Sequence, residues 1–316
     1  MTKYIIKRLI IVIPVLFMIS IGAFLIVNLA PGNPVDMYVS PDMTVEQVEA
    51  TKEALGLNDP LIVQYAKWAT NILKGNLGFS FSSRIPVSTI LSQRIGPTLL
   101  LMFLSLIVAY IVAIPLGILS AKKQNTFIDV IITSLSFTGI SLPSFFLGLG
   151  LIYIFAVQLK WLPTGGTKLL GVDGGILDQV RHLVLPVIVL ASQFAANMIR
   201  YARASMIDVY NENYIRTATA KGLKSSQILK HHGIRNALIP IITVIGADIP
   251  KIVGGAIVTE QIFQWPGIGS LMVASINSRD YPVLMAITML SAVAVLFANI
   301  AVDIMYAVID PRIKFI

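Results

Sequence analysis

Residues 214–240 read YIRTATAKGLKSSQILKHHGIRNALIP, a basic segment rich in small residues, set between apolar runs long enough to cross a bilayer. Asn211 or Asn213 can cap a short helix through YIRTATAK, and Gly222 is a natural left-handed terminator for it. Ser225 can then cap a second helix, SQILKHHGIRNAL, that leads to Pro240 at the start of the next apolar run. Thr217, Ala218, Thr219 and Ala220 are small enough to let another surface approach, and Arg216 and Lys221 flank them with charge that can pair with acids. The residues alone leave two readings open: a docking knob, or an ordinary basic loop held on the inner side of a membrane.

The composition outside this segment is that of a membrane protein. Of 316 residues, 56% are hydrophobic and 13% charged, against roughly 25% charged in soluble domains. The mean hydropathy is +0.80. Six apolar runs are predicted to span, at about 9–30, 97–120, 130–157, 183–200, 237–260 and 283–307. The third is long enough to hold a break at Pro143. The N-terminal MTKYIIKRLIIVIPVLF has the basic start of a signal peptide. Its charge-free stretch, Leu9 to Val35, exceeds the roughly 7–15 residues of a cleaved core, which predicts an uncleaved first span.

Basic residues set the expected orientation. With the N-terminus inside, the inner segments 1–8, 121–129, 200–235 and 311–316 hold 14 of the 24 Lys and Arg. The outer segments hold nine, five of them in a loop at 31–96 long enough to translocate regardless of charge. Both termini and the segment 214–240 are therefore expected on the cytoplasmic side. The expected division is a tail and first span at 1–30, an outer loop at 31–96, and a five-helix core at 97–316 with an inner loop at 201–236. Within the outer loop, TVEQVEATKEALGL (44–57, with Gly56 near its end) and PLIVQYAKWATNILKG (60–75) predict two short amphipathic helices. Tyr65 and Trp68 on the second suit a membrane interface. This loop reads either as a cover lying on the membrane or as a docking surface.

Most chemistry is excluded. There is no cysteine, no GxxxxGK[ST] phosphate loop, no HExxH and no GxSxG. Neighbours on a helix diverge by about 100°, so His231 and His232 cannot share one metal from a helix, and the only other histidine is His182. The net charge of +8 follows from inner loops, so nucleic acid is not an expected partner. The charges at membrane depth are Asp248, Lys251 and Asp303, with Glu260 near an outer edge. Asp248 and Lys251 are three apart and can meet on a helix. Each would cost about 2.5–3.5 kcal/mol unpaired at mid-membrane, so a pair or a water-filled cavity is expected. The pair is either structural or lines an aqueous path; Pro250, Gly254 and Gly255 beside it predict an irregular helix. Asp303 is expected simply at the inner interface.

The segment 214–240 resembles the cytoplasmic "EAA" signature of ABC importer permeases, in its peptide-permease variant. The glycine of that signature matches Gly222 and its small residue Ala218. Arg216 and Thr217 stand where the wider superfamily has Glu and Ala, and Arg235 where it has proline, departures usual in the dipeptide/oligopeptide/nickel subfamily. The resemblance extends through YIIKRLIIVIPVLF, LAPGNPV, LGLNDPLIVQYAKWATNILKGNLGFSF, SLPSFFLGLGLIYIFAVQLKWLPTGG, HLVLPVIVLASQFAANMIRYARASM and GGAIVTEQIFQWPGIGSLMVASINSRDYP. The long loop after the first span resembles the B-type half of such permeases.

The resemblance implies an all-α polytopic fold of the type I ABC importer permease class, with six transmembrane helices, in a bacterial or archaeal cytoplasmic membrane. It implies a non-enzymatic subunit, half of a heteromeric pore, that binds no cofactor itself, ATP and Mg lying on partner ATPases. Implied partners are a homologous second permease subunit, two ABC ATPase subunits and an extracytoplasmic substrate-binding protein. The helix matching about 213–222 would couple to the ATPase through Tyr214, Arg216, Thr217, Ala218, Ala220, Lys221, Gly222 and Lys224. Asp248 and Lys251 would lie on the translocation pathway. Peptides are the expected solute, with nickel or another small solute as the alternative, which the lack of a His or Cys metal set disfavours. A secondary transporter would show inverted repeats, and none stands out.

Overall fold

A computed structural model describes residues 2–29, 44–54, 58–168, 174–254 and 256–309, and every regular element among them is helical. In chain order the helices are α1 (Thr2–Leu29), α2 (Val45–Ala54), α3 (Leu61–Leu73), α4 (Val87–Lys122), α5 (Phe127–Ser141) and α6 (Ser144–Leu151). There follow α7 (Gly175–Asn211), α8 (Asn213–Ala220), α9 (Ser225–Ile228), α10 (Arg235–Gly254), α11 (Ile257–Ile262), α12 (Ile268–Asn277) and α13 (Tyr281–Ile309). Two wider π-helical stretches occur, Ile152–Gln158 after α6 and Leu229–Ile234 between α9 and α10.

Among the described residues, α1, α4, α7 and α13 are long and apolar enough to cross a membrane. The stretch from Phe127 to Gln158 makes a fifth span if its two parts count as one, bent by 102°. The break falls at the expected proline: Pro143 sits at the cap of α6, and Leu142 before it is extended, as a residue preceding proline prefers. The run expected at 237–260 is α10, whose 20 residues reach about 30 Å, the thickness of a hydrocarbon core. This helix ends at Gly254 rather than 260, and Pro240 lies inside it rather than at its start. Gly255 lies outside the described residues.

Two expected spans are much longer than hydropathy suggested. The runs 97–120 and 183–200 belong to α4, of 36 residues, and α7, of 37. Each would reach about 55 Å at 1.5 Å per residue, well past the bilayer core. Polar residues such as Arg94, Arg181 and Arg203 end the apolar run without ending the helix.

The centre of the fold is the α4–α7 contact, the most extensive between any two helices. It depends on small residues. A methyl group in place of the Gly117 hydrogen would sit 2.6 Å from the Ala202 methyl and 2.8 Å from the Ile199 carbonyl. Helices that approach this closely gain dispersion along their whole length, which is what holds helices together where lipid removes the hydrophobic drive. Gly139 places α5 against Ala196 of α7 in the same way.

The first helix lies at the edge. Arg8 of α1 pairs with Asp303 of α13 at 3.0 Å, so Asp303 is tied to a helix and does not merely rest at an interface. Tyr65 and Trp68 of α3 lie against α1: Phe24 is 5.5 Å from the Tyr65 ring and 6.0 Å from that of Trp68, and Ser20 shares a 2.7 Å hydrogen bond with the Tyr65 hydroxyl. Helix α2 opens with a reciprocal cap. The Gln47 side chain accepts from the Thr44 N–H at 3.0 Å, while the Thr44 hydroxyl accepts from the Gln47 N–H at 3.4 Å. Gly56 lies outside the described residues.

Candidate functional site

The segment that parsed as helix, glycine, helix forms α8, a left-handed turn and α9. Glu212, not Asn211 or Asn213, holds the cap position of α8, and it does so without a side-chain hydrogen bond. The far end is tightly closed. Gly222 adopts φ +77°, its N–H donates to the Thr219 carbonyl at 2.9 Å, and the Leu223 N–H reaches the Ala218 carbonyl at 3.3 Å. Those two bonds are the Schellman pattern, which needs a left-handed residue at the glycine position. Helix α9 starts at Ser225 with Lys224 at its cap, one residue earlier than expected. The Gln227 side chain accepts from the Lys224 N–H at 3.1 Å, the backward half of a capping box.

The faces of α8 differ sharply. Ile215 and Ala218, three apart, are buried among Ala121 of α4, Met206 and Val209 of α7, Ile228 of α9 and Ala237 of α10. Ala218 thus anchors the helix inward, although its small size had placed it with the outward-facing set. Tyr214, Arg216, Thr217, Ala220, Lys221, Gly222 and Lys224 are all exposed. The Thr217 and Thr219 hydroxyls bond back to the Asn213 and Ile215 carbonyls at 3.0 and 2.9 Å, so the outer face presents cations and small groups. The side chains of His231, His232 and Arg235 lie outside the described set.

Next to this anchor is a charge cluster that sequence reading did not find. Asp129, at the start of α5, is buried and accepts from Arg203 of α7 in two-pronged fashion, Nε to Oδ1 and Nη2 to Oδ2, each at 2.7 Å. Ser120 of α4 donates to the same carboxylate, and the Asn125 N–H adds a 3.0 Å bond. Three helices are thereby fixed to one another at the end that carries α8. A two-pronged arginine–carboxylate pair is among the strongest and most directional polar contacts. The partners are 74 residues apart, which is why no local pattern showed them.

Midway along the long helices, Asp248 and Lys251 make the ion pair that their spacing predicts, at 2.7 Å. Asp248 is buried, and its second oxygen accepts from the Tyr110 hydroxyl of α4 at 2.8 Å. Lys251 remains 59% exposed and lines an open groove of about 410 Å³ together with Ser144, Gln193, Phe194 and Asn197. Asp248→Asn would strip the ammonium of its counter-charge, whereas the double change Asp248→Asn with Lys251→Gln removes both charges. The single variant is expected to lose more membrane-inserted, folded protein than the double, scored by detergent-resistant yield. Equal losses would show independent roles.

A third polar knot closes the opposite end. Glu260 is fully buried; Thr98 of α4 donates to its Oε1 at 2.8 Å, and the Ser270 N–H in the first turn of α12 donates to Oε2 at 2.8 Å. A carboxyl group at a helix N-terminus satisfies orphan donors and suits the helix dipole. Gly267 and Gly269 leave room for it: a methyl at Gly267 would lie 2.3 Å from the Glu260 carboxyl group. Trp265 donates its ring N–H to the Pro97 carbonyl at 3.0 Å. The stretch EQIFQWPGIG is therefore a structural clasp rather than a reaction centre. Nearby, buried Asp280 accepts from the Ser80 hydroxyl and from the Phe81 N–H at 3.0 Å, binding the loop before α4 to the start of α13. Among the described residues, no three His, Asp or Glu side chains gather as a metal set.

Comparison with known proteins matches this architecture along almost all of the chain. Residues 1–102 match the N-terminal family of binding-protein-dependent transport system membrane components, and residues 113–315 match the family described as the inner membrane component of binding-protein-dependent transport systems. Over 316 residues the chain is 46% identical to the oligopeptide transport system permease protein AppB of Bacillus subtilis, covering 100% of both. It is 42% identical over 317 residues to a putative peptide permease of Brucella suis, covering 99% of each. It is 39% identical over 315 residues to the glutathione transport system permease protein GsiC of Escherichia coli K12, covering 100% of each. An inward-facing structure of the MetNI methionine ABC transporter aligns with TM-score 0.56 over 71% of this chain and 97% of that one. Its 16% identity makes that likeness one of fold. The chain belongs to the family of inner membrane components of binding-protein-dependent transport systems: it is an integral membrane permease subunit of an ABC importer, not an enzyme.

Proposed function

We propose that this chain is half of the translocation pore of an ATP-driven importer of oligopeptides or dipeptides, and that α8 is the element its motor grips. The reading takes its solute class from the relatives, whose names refer to oligopeptides, peptides and glutathione. Its working partners are a homologous second permease subunit, two ATPase subunits that hold ATP and Mg, and an extracytoplasmic binding protein that delivers the peptide. The chain stands with α8 and both termini on the cytoplasmic side, as the placement of Lys and Arg favours.

The observation that carries this reading is the two-sided character of α8. Its outer face offers Arg216, Lys221 and Lys224 around small residues, a compact basic knob that fits an acid-lined groove. Its inner face is rooted through Ile215 and Ala218 in α4, α7, α9 and α10. A displacement of the knob is thus delivered to the long helices directly. ATP-driven closure of two ATPases would move two such knobs together and swing the pore halves between two packed arrangements.

Gly222→Asp is the test. A left-handed conformation costs a non-glycine residue about 1–2 kcal/mol, and the new carboxylate would sit beside Lys221 and Lys224 on the proposed contact face. Capture of the ATPase subunits by detergent-solubilised permease is expected to fall about tenfold or more, the equivalent of at least ~1.4 kcal/mol, with insertion unchanged. Gly222→Asn, which tolerates the left-handed region about as well as aspartate but adds no charge, should retain most of the capture. Normal assembly and transport by Gly222→Asp would end this account of α8.

A further inference from the structure

Gln193 lies inside the apolar run 183–200 of α7, Gly175–Asn211, the part of that helix suited to the bilayer core. Asn197 and Arg200 follow at one and two turns, and Asn197 and Arg200 are exposed while Gln193 is partly so. Residues at i, i+4 and i+7 share one helix face. This face therefore carries two amides within the apolar run 183–200 and a guanidinium at its inner end. Among the described residues no protein group bonds the Gln193 amide, and Arg200 only overlies the Phe137 ring at 5.7 Å. Lipid is a poor neighbour for such a stripe, so the face meets water or a polar solute.

Lys251 lines the same groove as Gln193 and Asn197. Its counter-charge is withdrawn: Asp248 is buried, with one oxygen taken by Lys251 and the other by Tyr110. The ammonium has three donors, and only one is needed for the Asp248 bond at 2.7 Å. The groove thus shows the cation and hides the anion. Its volume, about 410 Å³, suits a small ligand, and Met102, Leu190 and Phe194 add apolar wall.

We infer that this groove is a subsite for the carboxylate end of the transported solute, with Lys251 as its cation and Gln193 and Asn197 as hydrogen-bonding partners for the adjoining amide groups. The inference rests on the reading of the chain as a peptide permease and adds a selectivity to it: peptides with a free C-terminal carboxylate pass in preference to the same peptides amidated. Asp248 is a positioning residue here, holding Lys251 at the groove while keeping the pair neutral overall.

The test uses the complete transporter in proteoliposomes with its binding protein and ATP. The probe is a defined pool of di- to pentapeptides, each present as free acid and as C-terminal amide, and uptake is read by mass spectrometry. Because the binding protein is common to all arms, its own bias cancels in the comparison of variants. Wild type is expected to import acids over amides, and Lys251→Gln is expected to reduce that ratio at least fivefold, mainly by slowing the acids. Lys251→Arg should retain the ratio. A merely structural lysine would lower acid and amide uptake together, leaving the ratio unchanged in Lys251→Gln, and that result overturns the subsite. Absence of ATP-dependent uptake of any peptide by wild type would instead overturn the peptide-permease reading, and the subsite with it.

Discussion

Arg203→Ala is expected to destabilise the protein by about 3 kcal/mol, because it leaves the Asp129 carboxylate buried with its strongest partner gone. Ser120 and the Asn125 N–H still donate to that carboxylate, which keeps the loss toward the lower end for a broken buried pair. For a chain of 316 residues, at about 2.1 cal/mol/K of unfolding entropy per residue, the change corresponds to a fall in Tm of about 4–5 °C, measured on the detergent-solubilised subunit. The sign of the companion experiment is as informative. Replacing both partners by apolar residues of similar shape, Asp129→Leu with Arg203→Met, removes the buried charge together with its partner and should recover much of the loss. A single variant as stable as wild type would mean that the clamp contributes nothing net. A double variant worse than the single would mean that orientation of α5, rather than charge compensation, is what the pair provides.

Gly267→Ala should cost a similar amount, about 3 kcal/mol, for a steric reason. The added methyl would lie 2.3 Å from the Glu260 carboxyl group, which cannot swing aside without dropping its bonds to Thr98 and to the first turn of α12. Losing hydrogen bonds to a buried charged group and forcing a packed turn apart each carry costs of about 1.5–3 kcal/mol. The control is Gly96→Ala in α4, where an added methyl meets nothing within 4 Å. Alanine is the better helix former there by about 1 kcal/mol, so that variant should be neutral or slightly more stable. Parallel thermal melts of the two variants decide the matter: equal behaviour would show that the clasp around Glu260 yields readily.

The features legible in the sequence were those decided within a few residues. Gly222 at the end of a polar helix, Pro143 within an over-long apolar run and the three-residue spacing of Asp248 and Lys251 each state a local rule, and the structure obeys each. What stayed hidden depends on packing between distant segments. Thr98 and Glu260 are 162 residues apart, and Ser80 and Asp280 are 200 apart. Nothing near any of these residues announces its partner. The limits of α4 and α7 were missed because hydropathy marks where the bilayer ends, while hydrogen bonding and tertiary contact decide where the helix ends. Within α8 the helix and its stop could be read, but not its orientation. Ala218 looks like a contact residue until its neighbours, Met206 and Ala237 among them, are in place.

The closeness of α4 and α7 sets an unusual rule for sequence change along their seam. At Gly117 the obstacle is the opposing backbone itself, the Ile199 carbonyl and the Arg203 amide nitrogen, so no rearrangement of side chains can make room. Leucine, among the residues most at home in lipid, is excluded there by its width alone. Variation at that position is filtered first by width, and a survey of tolerated residues would rank them by volume before hydrophobicity.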